Sequence, residues 1–236
     1  MTLTFSVDPT TLAASDITVT GATKGALSGT GTTRSLAISA ITVGNGETVS
    51  VAIASPSGFT ISGSPKTAVV YRLLVVGMAY QGGKIAYILQ SGDPGYISGD
   101  FHGLIASTTD LSTGIQWYNG TSISIGTGTV LGKGQENTTK IVDAQGEGSY
   151  AAKLCDDYTN PDTGTGVYSD WYLPSKDELY ILYANKTTIG GFADSPSYWS
   201  SSEKDSVLIW NQDFSDGSQA SWNKTNTLRV RAIRSF

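Results

Sequence analysis

From residue 1 to about residue 69 the sequence alternates with period two and is interrupted again and again by glycine. Leu3, Phe5 and Val7 alternate with polar neighbours, and so do residues 17–20, 36–38, 48–53 and 59–61. Alternation rich in Thr and Val predicts half-buried strands. The breaks at Gly21, Gly25, Gly29, Gly31, Gly58 and Gly63, and the Asn45-Gly46 pair suited to a tight hairpin, set the strands at roughly ten-residue spacing. Strands this short, this regular and this free of helical periodicity predict a small all-β sandwich. The texture supports it: Ser and Thr fill 24 of the first 70 positions, and Lys24, Arg34 and Lys66 balance Asp8, Asp16 and Glu47.

Residues 64–67 mark a junction, and the apolar run 69–76 reads as a buried strand opening a second domain over 70–236. Strands are predicted at 82–89, 102–106 and 112–117. A helix is predicted near 148–158, burying Leu154 and Cys155. Ser175 followed by Glu178 is a capping box, and Leu179, Leu182 and Tyr183 continue at helical spacing until Gly190 and Gly191. Period two then returns at 198–203, 209–214 and 229–236, with Asp216-Gly217 as a hairpin turn. The fold class is α+β.

The bulk numbers exclude more than they assign. The net charge of −5 and pI near 4.8 argue against a nucleic-acid partner. No apolar run approaches the ~18 residues of a membrane span. A single Cys excludes an intrachain disulfide, and a single His excludes a His-clustered metal site. The start carries no signal-peptide pattern, which suits a cytosolic chain or a mature fragment, and the low charge with abundant Ser, Thr and Gly leans towards the second, an extracellular protein.

Several motifs occur in a distinctive order. They are the strand at 82–89, His102-Gly, Trp117 closing 112–117, Trp171-Tyr-Leu-Pro-Ser175 leading into Glu178, Tyr198-Trp199 followed by three serines and Glu203, Phe214 before Asp216-Gly217, and Arg229, Arg231 and Arg234. Over residues 80–236 this order resembles a bacterial C-type lectin-like family of surface lipoproteins, of the formylglycine-generating-enzyme type. The first domain is similar to immunoglobulin-like modules of bacterial surface proteins, without their Cys-Trp-Cys signature. The C-terminal pattern from Trp210 through Gln212, Phe214 and Gln219 to Lys224 resembles the target proteins of diversity-generating retroelements, as in the Treponema variable protein family. The resemblance implies a variable region at about 199–236, rewritten from a template in which adenines mutate.

Asn codons randomised at their two adenines reach every amino acid except Lys, Gln, Glu, Met and Trp. Trp199, Glu203, Trp210, Gln212, Gln219, Trp222 and Lys224 therefore did not arise that way. Alternation sets Trp210, Gln212 and Phe214 on one strand face, pointing inward, and Asn211 and Asp213 on the other, toward solvent. The predicted ligand-binding positions are Asp205, Ser206, Val207, Leu208, Asn211, Asp213, Ser218, Ala220, Ser221, Trp222, Asn223, Thr225, Asn226, Thr227 and Leu228. Trp222 is open between a fixed anchor and a product of another codon, and core packing and a binding hot spot both fit it. The predicted scaffold is Trp171, Trp199, Glu203, Trp210, Gln212, Phe214, Arg229 and Arg231, the arginines pairing with acids such as Glu203 or Asp170.

No catalytic pair, cofactor or metal site is predicted. Asn160-Pro161-Asp162 only approximates the calcium-lectin motif, Cys155 reads as a small buried hydrophobe, and His102 as a structural residue at a strand edge. The expectation is a monomeric, non-enzymatic protein displayed at the cell surface or outer membrane as a lipoprotein, with a protein ligand ahead of a glycan. The alternatives are a descendant of the formylglycine-generating enzymes, which needs a reactive thiol, and a purely structural adhesin or stalk.

Overall fold

A computed structural model describes the chain except residues 45, 72 and 194–196. It divides into two compact units, Met1–Leu73 and Leu74–Phe236, so the division falls after residue 73 rather than after 69.

In the first unit, β1 (Thr2–Thr4), β4 (Thr33–Ser39) and β3 (Thr23–Ser28) form one antiparallel sheet in the order β1-β4-β3. The other sheet joins β2 (Ile17–Thr20), β5 (Thr48–Ile53) and β6 (Lys66–Val69) in the order β2-β5-β6. Leu3, Ile17, Leu36 and Val51 fill the core between them, each supplied by the inward phase of an alternating run. Three sequence expectations need correction. The first strand ends at Thr4 instead of reaching Val7, and residues 59–61 form no strand. There Phe59 turns back onto the Pro56 carbonyl, and the Ile61 amide donates to Ser55 Oγ, which leaves the ladder without partners. The run 69–76 is not a buried strand. Only Val69 belongs to β6, and Tyr71 and Leu73 are about three-quarters exposed, while Leu74 is buried in the second unit. The Asn45-Gly46 turn rests on a residue outside those described.

Among the described residues the second unit carries two sheets and four helices. One sheet has the order β15-β9-β8-β7, from Ile233–Ser235, Gly103–Ala106, Gly83–Ile88 and Ala79–Tyr80. The other has the order β10-β14-β11-β12-β13, from Ser112–Gln116, Thr227–Val230, Ser197–Glu203, Leu208–Asp213 and Gln219–Asn223. β14 lies parallel to β11 and every other pairing is antiparallel. The single C-terminal strand expected over 229–236 is thus two, in two sheets. The chain leaves β14 where Arg231 turns inward, and resumes where Ile233 pairs with the backbone of Tyr172.

The helices are α1 (Gly134–Gln145), α2 (Ala151–Asp156), α3 (Lys176–Ala184) and α4 (Lys186–Ile189). α2 buries Ala151, Ala152 and Cys155 but leaves Leu154 half-buried, where full burial was expected. α3 has the predicted capping box: Ser175 Oγ accepts from the Glu178 amide, and Glu178 Oε2 accepts from the Ser175 amide. It ends at Ala184, and the glycines at 190 and 191 follow α4 instead.

Glu178 is fully buried, and its Oε1 also accepts from the Gly132 amide, which ties the preceding loop to the helix start. Burial raises its carboxyl pKa, against the opposing pull of those donors. A carboxyl raised in the folded state stabilises fully below its unfolded value of 4.5 and loses that contribution as pH climbs through the folded value. Glu178→Gln should cost about 1 kcal/mol at acid pH, since one amide loses its acceptor. It should also flatten the decline of stability above pH 4.5. Thermal melts from about pH 4 to about pH 7 check this, and parallel curves for both proteins would contradict it.

Candidate functional site

The site grows out of β11, in which all seven residues of Ser197–Glu203 are buried. A strand with both faces covered has no solvent side for its polar groups, so each must find a protein partner. Trp199 Nε1 donates to the Ile115 carbonyl and Trp117 Nε1 to the Ser200 carbonyl. Ser200 Oγ donates to the Trp210 carbonyl, and Ser202 Oγ to the Gly128 carbonyl while accepting from the Lys176 amide. The serines stitch β11 to β12, to the start of α3 and to the loop before α1.

Glu203 closes the strand. Its Oε1 lies 2.6 Å from Lys224 Nζ, and its Oε2 accepts from the Ile125 and Gly126 amides at 2.8 and 2.9 Å. Lys224, fully buried, also donates to the Ile123 carbonyl and stands 4.7 Å over the Trp117 ring. A buried ion pair is tolerable only when further partners offset its lost hydration, and here a carbonyl and an indole ring face the ammonium and two amides the carboxylate. The pair holds the loop at 121–128 against the sheet.

Of the three C-terminal arginines, Arg234 pairs with Asp170 as expected, and the other two pair differently. Arg229 and Arg231 both reach Asp110, at 3.0 and 2.7 Å, and Glu203 and Asp170 belong to other partners. Arg234 takes Asp170 and stacks over Tyr168. Arg231 is fully buried. It donates to the Ser107 and Gly191 carbonyls and lies 4.2 Å over Phe192. Tyr198 donates to the same carboxylate, and burial pushes its hydroxyl up to about 12. Asp110 carries no motif around it, so the sequence offered no signal for its role.

The β12–β13 hairpin holds most of the predicted binding positions. Its turn contains Gly217 at φ +84°, and a Cβ there would sit 2.4 Å from the Tyr183 ring, so only glycine closes it. Asp205, Ser206, Val207, Ser218, Trp222, Thr225, Asn226 and Thr227 are exposed, and Leu208, Asp213, Ala220, Ser221 and Asn223 half-buried. Two positions are corrected. Asn211 is 2% exposed, its amide turned onto the Ala220 carbonyl, because β12 is covered on both faces. Leu228 is buried in the core with Ile209 and Val230. Of the predicted scaffold, Trp171, Trp199, Glu203, Gln212, Phe214 and Arg231 are buried, while Arg229 and Trp210 are half-buried, so the Trp210 ring does not point fully inward.

The predicted binding positions do not share one face of the hairpin. β12 pairs with β13 so that Trp210 stands opposite Ser221, and Ile209 opposite Trp222. Directly opposed residues share a face and successive residues alternate. Trp210 and the exposed Trp222 therefore lie on opposite faces, and the candidate positions wrap around the edge strand β13. Asp205 fixes the β11–β12 turn by accepting from the Val207 and Leu208 amides, which hold its carboxyl below the usual range.

The other candidates are structural in their contacts. Cys155 is fully buried, which pushes its thiol well above the usual value and disfavours the thiolate. Asn160 spends its side chain on the Pro161 and Gly166 carbonyls and the Tyr168 amide. His102 Nδ1 sits 3.3 Å from the Phe236 carbonyl.

A search of curated proteins finds no match. Among solved structures, the chain is similar to a fimbrial protein from Bacteroides ovatus ATCC 8483, with 14% identity and a TM-score of 0.48. The alignment covers 86% of this chain and 59% of that one, so the chain spans about three-fifths of its length. The family model of the Lcl C-terminal domain matches residues 106–234, from β9 through β15 and across every element of the site. That match takes in more than half of the chain, and the chain belongs to the Lcl C-terminal domain family.

Proposed function

We propose that this is a surface-displayed variable protein that binds a protein ligand without catalysis. In this reading it is anchored as a lipoprotein, and its C-terminal region is diversified by a retroelement, as in the Treponema variable protein family. The second unit is then a C-type lectin-like domain and the first an immunoglobulin-like spacer.

One observation carries the reading. Of the residues that mutated Asn codons cannot encode, four between 199 and 224 are locked into the fold, while Trp210 and Gln219 are half-buried and Lys204 and Trp222 exposed; of the encodable binding positions only Asn211 and Leu228 are buried. Trp199, Glu203, Gln212 and Lys224 are buried and bonded, whereas Asp205, Ser206, Val207, Ser218, Thr225, Asn226 and Thr227 are exposed. Membership of the Lcl C-terminal domain family supports a binding module of this kind.

Two measurements test it. Sequencing the locus in related isolates should show substitutions concentrated at the exposed positions, beside a reverse transcriptase gene and a near-copy of the 3′ end carrying adenines at those codons. Substitutions spread evenly along 106–234, with no such copy, would refute diversification. Val207→Ser, Trp222→Ser and Thr225→Ala should each change stability by no more than about 0.5 kcal/mol. A larger loss at any of them would make that position part of the scaffold.

A further inference from the structure

The hairpin carries a second tryptophan whose surroundings differ from those of Trp222. Trp210 is half-buried, with Lys176 Nζ 4.9 Å and Lys204 Nζ 5.6 Å from the ring centroid. Both lysines are held in place. The Lys176 amide donates to Ser202 Oγ and its carbonyl accepts from Gln219 Nε2, while Lys204 Nζ reaches Ser221 Oγ at 3.3 Å. Among the described residues neither ammonium group forms an ion pair, although the carboxylates at Glu203, Asp110 and Asp170 all do. The neighbouring Asp205 carboxylate accepts from the Val207 and Leu208 amides through Oδ1, and attracts Lys204 through space without forming an ion pair with it. Two cations thus share one indole, which favours their positive charge but fills none of their remaining donors.

All three residues lie beyond the reach of the mutating route. Lys204 and Trp210 cannot come from Asn codons, and Lys176 precedes the variable region. Around them, on the Trp210 face, stand Ser221 and Asn223 of the edge strand, with Asp205, Ser206 and Val207 on the adjacent turn.

We propose that Trp210, Lys176 and Lys204 form a constant anchor for an Asp or Glu side chain of the protein ligand, and that the mutable positions around it select which protein supplies that side chain. The indole gives a flat apolar floor for the methylene groups, and the two ammonium groups take the carboxylate. A single acidic side chain suits the site better than a sulfated polyanion. The whole chain carries −5 with a pI near 4.8, so its long-range field repels a polyanion while the local pair still attracts one carboxylate. This inference rests on the binding function proposed above.

The test pans a displayed random peptide library against the full chain. Recovered peptides should be enriched in Asp and Glu. A synthetic peptide of the winning sequence should bind the K176Q/K204Q variant roughly tenfold or more weakly, and the K176R/K204R variant almost unchanged. Equal melting temperatures of the variants would assign the loss to the site. Peptides recovered without acidic enrichment, or bound equally by K176Q/K204Q, overturn the anchor and leave the binding function standing. Lysine-dependent binding of a sulfated polysaccharide without lysine-dependent binding of peptides also overturns it. Recovery of no peptide overturns both.

Discussion

Asp110→Ala is expected to destabilise the second unit by about 3–5 kcal/mol. The carboxylate receives Arg229, Arg231 and the Tyr198 hydroxyl, and Arg231 has no access to water. Removing one partner of a buried pair costs far more than the pair contributes, because the other charge stays buried without compensation. Part of that cost is structural. Arg231 stands where the chain passes from β14 in one sheet to β15 in the other, so a displaced guanidinium disturbs both. Denaturant unfolding followed by tryptophan fluorescence measures the effect on this unit alone, since Trp117, Trp171, Trp199, Trp210 and Trp222 all lie beyond residue 74. Asp110→Asn should lose less, since the amide oxygen still accepts one hydrogen bond. A loss under about 1 kcal/mol for the alanine variant would mean that the arginines find other partners.

The second large effect belongs to Glu203 and Lys224. Lys224→Met is expected to cost about 3 kcal/mol or more, by leaving Glu203 charged and buried. The double variant E203Q/K224M should recover much of that loss, since it removes both charges together. A coupling of about 2 kcal/mol between the two sites is the expected signature in a double-mutant cycle. Glu203→Ala should also speed hydrogen exchange at the Ile125 and Gly126 amides, which donate to its Oε2. Purely additive single variants, with unchanged exchange at those amides, would remove the pair from its role in holding the loop.

Sequence legibility divided along physical lines. Elements with strong local signals were readable. The capping box placed α3, and period two placed β11 and β12 to within a residue or two. α1 was missed because its buried face is polar. Gly134, Asn137, Thr138 and Ile141 recur at helical spacing, but only Ile141 is apolar, and the rest earn burial through hydrogen bonds. Asn137 bonds both ways with Gly128 and reaches Ser201, which no single-sequence periodicity reveals. The run at 69–76 misled for the converse reason. Its hydrophobicity looked like a buried strand, yet burial depends on a partner that β6 alone does not supply. In the site, alternation separated the two faces of β12 correctly but could not say that both are covered, which is why Asn211 faces protein. The role of Asp110 was invisible because its partners lie 88 to 121 residues away in sequence.

That separation has a consequence for how the molecule reaches its fold. Among the described residues β10 pairs only with β14, and Asp110 meets Arg229 across 119 residues, so the five-stranded sheet cannot close until residue 230 has been made. Loops of that length are slow to close, and the pairing they delay leaves strand edges open meanwhile. Under the variable-surface reading proposed above, every sequence tried at the hairpin is sampled inside an unfinished sheet. A hairpin that pairs wrongly, or sticks to another chain, is lost before it can bind anything. The edge position of β13 limits this risk, since within the sheet a misfit there breaks the pairing with β12 alone. Under that reading the set of workable binding surfaces is filtered first by folding kinetics and only afterwards by affinity.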